Sequence, residues 1–321
     1  METVSELSLD DPGAGDISDY RSNSLWRLTL RRLLRQRSAI FGLVILGTLV
    51  FAAIFAPVIT PYDPQEDLIG VEEVARRQAP CIHLLGCAED QPQHLMGIDG
   101  NFRDLFTRVV YGTRVSLRVG FITVGFAIIV GTVLGAVSGY LGGWIGDIIM
   151  RVLDVVLAFP FLLLAIAIVS VLGPGLTNAM LAIAIVTIPQ YARVVRASVL
   201  SVREEEYVEA SRALGASNFQ ILFGRILPNA LPPLIVQGTL GIATAILDTA
   251  ALSFIGLGAQ PPTAEWGFML ASERNQVFSA PHLVFFPGLA IMVTVLAFNL
   301  LGDGLRDALD PRLAQAGAKR N

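Results

Sequence analysis

The chain has 321 residues, 53% of them hydrophobic and only 16% charged, with 23 basic and 27 acidic side chains giving a net charge of −4. Soluble domains carry about 25% charged residues, so an ordinary soluble enzyme, a disordered chain and a coiled coil are excluded, and the balanced charge points to no nucleic acid partner. The mean hydropathy of +0.61 comes from long unbroken apolar runs, not alternation, which predicts an all-α polytopic membrane protein in a lipid bilayer, not a membrane β-barrel.

Residues 1–38 read as a cytoplasmic N-terminal tail. Positions 1–24 are rich in Ser, Asp and Gly and are expected to be disordered. Arg21, Arg27, Arg31, Arg32, Arg35 and Arg37 crowd ahead of the first apolar run and place that end inside. The first transmembrane helix is expected over residues 39–60, ended by Pro57 and Pro61. It starts too late and runs too long for a cleaved signal peptide.

Residues 61–113 form the longest polar segment, expected outside the cell. Cys81 and Cys87 fall in it, readable as a disulfide or as two free thiols. With His83 and His94 they make only a superficial metal cluster, whose spacing fits no zinc pattern, so no metal site is assigned. Leu105, Phe106, Val109 and Val110 have helical spacing and predict an amphipathic interfacial helix.

Residues 114–306 hold five further spans, expected near 115–140, 148–172, 178–200, 230–257 and 283–301, for six in all with both termini cytoplasmic. Arg193, Arg196, Arg203, Arg212 and Arg225, and then Arg306, Arg312, Lys319 and Arg320, fall inside in that topology. Arg114 and Arg118 fall at the outer end of the second span and need snorkelling or an interfacial position. Gly120, Gly125, Gly131 and Gly135 suit close helix packing. Asp147, Arg151 and Asp154 have the spacing of an ion-pair chain along one helix. Pro160 and Pro189 predict kinks, and Gly173-Pro174-Gly175 a tight turn. Asp248 lies well inside the fifth span, where an ionisable group faces a cavity or a partner. It is a possible pathway residue; bonding to Thr244 or Thr249, or pairing with another subunit, are the alternatives. Residues 307–321 form a cytoplasmic tail.

The stretch 201–228, SVREEEYVEASRALGASNFQILFGRILP, is expected in the cytoplasm. Tyr207, Val208, Ser211 and Leu214 share a face of a short helix that Gly215 ends. A second short helix, 218–226, stops at Pro228. This makes either a compact projection able to transmit force or an amphipathic loop lying on the headgroups.

Glu209-Ala210-Ser211, three residues, Gly215, nine residues, then Arg225-Ile226-Leu227-Pro228 resembles the EAA signature of ABC importer permeases. Ser211 replaces the second Ala of that pattern and Arg225 its Ile. HLMGIDGNFRDLFTRVVYGTRVSLRVG, ALSFIGLGAQPPTAEWG and FFPGLAIMVTVLAFNLLGDGLRDALDPRL resemble three more stretches of dipeptide and oligopeptide permeases, with Asn101-Phe102 where a Gly is usual before Arg103-Asp104. On these four segments the chain is similar to the DppC/OppC-like permeases. The resemblance implies a type I ABC importer permease fold of six transmembrane helices and a half-share in an alternating-access pathway for peptides. It implies a DppB/OppB-like partner permease, two ABC ATPase subunits and an extracytoplasmic solute-binding protein in a prokaryotic plasma membrane. It makes Glu209, Ala210, Ser211, Gly215, Leu227 and Pro228 the ATPase-coupling residues.

The chain has no G-x-x-x-x-G-K-[ST] loop, and its only lysine is Lys319. It is therefore expected to be no enzyme and to hold no cofactor, with ATP and Mg on the partner ATPases. A self-contained secondary transporter would need internal repeats and more intramembrane charge than the sequence shows. An intramembrane enzyme would need a catalytic pair inside the spans, and none is present. The same architecture carrying nickel chelates or another small solute remains the alternative on cargo.

Overall fold

A computed structural model describes residues 30–31, 33–88 and 90–309. The expected disordered N-terminal stretch and most of the C-terminal tail lie outside the described residues. Among them the chain is helical with no strand, only isolated β-bridges. Among the described residues five helices are long and apolar enough to span a bilayer: α1 (Arg37–Ile59), α2 (Leu105–Leu141), α5 (Leu176–Arg203), α8 (Leu227–Phe254), which continues the turns from Asn218, and α10 (His282–Leu309). Between them lie α3 (Gly143–Leu157), α4 (Phe161–Leu172), α6 (Glu206–Ala213), α7 (Asn218–Ile221) and α9 (Trp266–Glu273).

The third expected span is not one rod. α3 and α4 meet at 89°. Pro160 has no N–H to continue the ladder and disfavours helical backbone at Phe159, so the chain turns there and restarts. Pro189, by contrast, stays inside an unbroken α5. The charges on α3 pair across to α5, not along their own helix: Asp154 with Arg193 at 2.5 Å and Asp147 with Arg196 at 3.6 Å, with no ion pair to Arg151 among the described residues.

The stretch at Leu105–Val110 is not a separate interfacial helix but the opening turns of α2. Asp104 caps it, accepting the Thr107 amide at 2.7 Å. The second short helix of the 201–228 stretch does not stop at Pro228 either. α7 passes through a π-helical turn, Leu222–Ile226, directly into α8. Pro228 cannot donate to Gly224, and the Leu227 amide reaches back five residues to Leu222, which absorbs the misfit.

Small residues set the closest contacts. A Cβ on Gly131 would lie 2.7 Å from Tyr191 Cβ, one on Gly135 2.8 Å from Val195 Cβ, and one on Gly139 3.0 Å from Val199 Cγ1. These glycines recur every four residues and let the α2 backbone lie directly on α5. Gly125 meets nothing and plays no such part. Gly42 of α1 meets the α10 backbone in the same way, 2.8 Å from Ala297 O. Arg114 is accounted for by α1: its guanidinium donates to the carbonyls of Ala53 and Ile54. Arg118 is exposed.

Candidate functional site

The polar segments gather at opposite ends of the bundle. One end holds residues 60–104, the Gly173–Gly175 turn and residues 255–281. The other holds the α2–α3 junction and residues 204–226.

At the first end, residues 61–104 are knitted to the helices by buried ion pairs. His94 is fully buried. Its Nδ1 lies 2.9 Å from Asp104 Oδ1, and Nε2 faces Glu72 Oε2 at 3.2 Å, off the hydrogen-bond line. Tyr62 donates to Glu72 at 2.9 Å, and burial together with that carboxylate pushes the phenol well above its usual range. Asp99 accepts the amides of Asn101 and Arg103 and pairs with Arg103 at 2.9 Å. This turn holds Phe102 at φ +58°, a left-handed position that costs a non-glycine residue about 1–2 kcal/mol. Arg108 reaches Pro64 O at 2.7 Å and Thr263 O at 3.3 Å, joining this segment to the α8–α9 connection. Glu273 closes the set, accepting Arg77 Nε at 2.8 Å and the Gly100 amide at 3.0 Å.

A disulfide joins Cys81 to Cys87, beside the antiparallel bridge of Cys81 and His94. His83 bonds the Gln91 carbonyl. Nothing in the sequence pattern marked Tyr62, Glu72, Arg108 or Glu273 as a set. The signal was in the HLMGID…RD stretch, whose charges read as surface until their partners are known.

At the opposite end, α6 stands between α5 and α7. Val208 is its buried anchor, while Glu206, Tyr207, Glu209, Ala210 and Arg212 are exposed and Ser211 is half-buried. Gly215 has φ +85°. Its amide bonds Arg212 O and the Ala216 amide bonds Ser211 O, which is the Schellman closure of α6. Ser217 and Gln220 then start α7 with a reciprocal capping box.

The turn leaves an open groove of about 660 Å³ lined by Ser211, Leu214, Ala216, Phe219, Phe223 and Arg225. Leu214 is 89% exposed and Phe219 71%. Leu227 is half-buried and Pro228 exposed at the foot of α8. Hydrogen bonds fix this unit to the spans. Tyr140 at the end of α2 donates to Asn218 at 2.7 Å, Asn229 donates to Tyr207 at 3.1 Å, and Arg203 donates to the carbonyls of Gly139 and Tyr140. The Arg203 contacts satisfy carbonyls that a helix C-terminus leaves empty.

Asp248 lies apart from both ends, half-buried in α8. Neither neighbouring threonine holds it. Thr244 Oγ1 donates to Gly241 O at 2.9 Å, and Thr249 Oγ1 is buried without a partner.

Two family profiles match the sequence. "Binding-protein-dependent transport system inner membrane component" covers residues 131–315, and "N-terminal TM domain of oligopeptide transport permease C" covers residues 24–80. The dipeptide transport system permease protein DppC of Alkalihalophilus pseudofirmus is 48% identical over 97% of this chain and 98% of its own length. The di/tripeptide permease protein DppC of Pseudomonas aeruginosa is 47% identical over 87% and 90%. The glutathione permease protein GsiD of Pectobacterium atrosepticum is 42% identical over 92% and 94%. Among solved structures, the inward-facing MetNI methionine ABC transporter matches with a TM-score of 0.53 at 21% identity, over 63% of this chain and 97% of the other, which is a likeness of fold. The chain therefore belongs to the binding-protein-dependent transport system inner membrane components, as a DppC/OppC-like ABC permease that passes several times through the plasma membrane.

Proposed function

We propose that the chain is one of two permease subunits of an ATP-driven importer of dipeptides or oligopeptides. A DppB/OppB-like permease completes the pathway, two ABC ATPases carry ATP and Mg, and a solute-binding protein delivers peptide to the end formed by residues 61–104 and 255–281. Both termini and the 204–226 end then face the cytoplasm. The glutathione permease among the relatives extends the reading to other small peptides, not away from peptides.

The observation that carries the reading is the unit from Glu206 to Pro228. A soluble loop would bury Leu214 and Phe219, but here they line an open groove bordered by Arg225, while Glu204 and Glu209 line a second recess with Arg203 and Arg212. An exposed apolar groove rimmed by charge marks a protein contact. Glu209, Ala210, Ser211 and Gly215 form its helix and turn, and Leu227 and Pro228 the hinge to α8. An ATPase seated there would move α2 and α8 directly through Asn218 and Asn229. Asp248 is assigned to the pathway.

The test is affinity purification of the tagged chain from its own membranes with mass spectrometry of what accompanies it. Recovery of a second permease and two ATPases is the expected result, with the ATPases lost when Glu209 and Gly215 are replaced together. Recovery of the chain alone, with transport driven by an ion gradient, would overturn the reading.

A further inference from the structure

The exposed face of α8 differs in chemistry from that of α1. α1 shows Phe41, Val44, Phe51, Ile54, Phe55 and Val58, a predominantly large apolar surface suited to lipid, interrupted at Gly47 and Thr48. On α8, Pro233, Thr244, Leu247, Ala251 and Phe254 are exposed, with Gln237 and Asp248 half-buried beside them. Positions 233, 237, 244, 251 and 254 recur at intervals of three, four and seven, which is one stripe down the helix, and Asp248 borders it. From Gln237 to Asp248 it rises roughly 16 Å at about 1.5 Å per residue. Below Gln237 it opens into a groove of about 480 Å³ against Val194 of α5 and Arg306 of α10. Pro232 and Pro233 line this groove, and neither has an N–H to give the carbonyl four residues earlier.

A carboxylate at mid-depth facing hydrocarbon is strongly unfavourable. Asp248 has no side-chain partner among the described residues, and Thr244 and Ala251, one turn to either side of it, are exposed and polar or small. Resting on the peptide-importer reading above, we propose that this face of α8 is a water-lined stretch of the translocation path in which Asp248 receives the α-ammonium group of a passing peptide. Charge complementarity selects the ammonium end, and the polar positions below it, Thr244 and Gln237, offer the next contacts toward the cytoplasmic groove.

The test uses the complete complex, with partner permease, ATPases and binding protein, in proteoliposomes, with dialanine as the probe. Asp248→Asn is expected to lower ATP-driven dialanine uptake at least tenfold while binding-protein-stimulated hydrolysis stays within twofold, and Asp248→Glu to restore most of the uptake. Uptake by Asp248→Asn within twofold of the unmutated complex would overturn the assignment. A second measurement stands even if that variant fails to assemble. Cys81 and Cys87 are bonded to each other, so Thr244→Cys supplies the reactive thiol of this chain. With Asp248 in place, a cationic methanethiosulfonate should label it at least fivefold faster than an anionic one. Equal labelling by both, or labelling by neither, would overturn the proposal. An unmutated complex that takes up no dialanine would instead remove the peptide reading, and the ammonium assignment with it, whatever the labelling shows.

Discussion

Arg114 of α2 donates to the carbonyl of Ala53 in α1, the acceptor left empty because Pro57, four residues on, has no N–H. A second bond reaches Ile54 O at 2.9 Å. The Arg114 guanidinium thus serves as a backbone donor, and it locks α1 to α2. Arg114→Met should destabilise the permease by about 1–3 kcal/mol, the usual cost of a buried unsatisfied acceptor. Pro57→Ala should recover part of that loss by restoring the helical bond. Thermal unfolding of the two single variants and the double variant measures the coupling, and strict additivity would refute the link.

Gly215 sits at φ +85° with no side-chain obstacle within 4 Å, so its requirement is one of backbone and not of space. Gly215→Val should cost about 1–2 kcal/mol locally and distort the Schellman closure that presents Leu214. Hydrolysis by the assembled complex is then expected to continue while peptide uptake falls at least tenfold. Unchanged uptake would show that the turn does not transmit motion.

Glu265 is buried and accepts the amides of Gly267 at 2.9 Å and Phe268 at 2.7 Å as the cap of α9. Burial pushes its carboxyl above the ordinary 4.5, against the pull of those amides and of Ser253. The folded protein therefore holds this proton more tightly than the unfolded chain. The group's favourable contribution is complete below 4.5 and is lost as pH rises through the raised value. Glu265→Gln keeps an acceptor and removes the charge, so its melting temperature should gain on the parent's as pH rises from about 4 to about 7. Glu265→Ala, which removes the cap, should cost about 1–2 kcal/mol at every pH.

The bond between Cys81 and Cys87 closes a short loop beside His94. Loop entropy assigns it about 2 kcal/mol. Cys81→Ser should speed proteolysis between residues 61 and 104 and leave hydrolysis by the complex unchanged. Cleavage at the parental rate would mean that the buried pairs around Asp99 and His94 hold the segment unaided.

The long spans were legible because a bilayer imposes a minimum apolar length, and residues 39–60 or 178–200 have nothing else to be. What periodicity could not show was how backbone breaks resolve. Pro160 divides a continuous apolar run into two helices at 89°, whereas Pro189 leaves α5 whole, and the sequence around each gives the same signal. The end of α6 at Gly215 followed from residue type alone. The continuity of α7 with α8 did not, because a π turn needs the register of both helices to be known. Asp147 and Asp154 were assigned to Arg151 on spacing, yet their partners are Arg196 and Arg193, supplied by another helix. Phe102 holds a left-handed turn of the kind that favours glycine, and Asp99 bonds the amides on either side of it.

The glycine ladder of Gly131, Gly135 and Gly139 has a kinematic meaning. A seam with no room for a Cβ has no room for sliding, since each step along it would drive the α2 backbone into Tyr191, Val195 or Val199. The two helices thus behave as a single lever whose tip is Tyr140, already bonded to Asn218. On the alternating-access reading proposed above, the path would open and close by rotation of that lever as a whole, with the freedom placed at the seams that side chains, not backbones, fill.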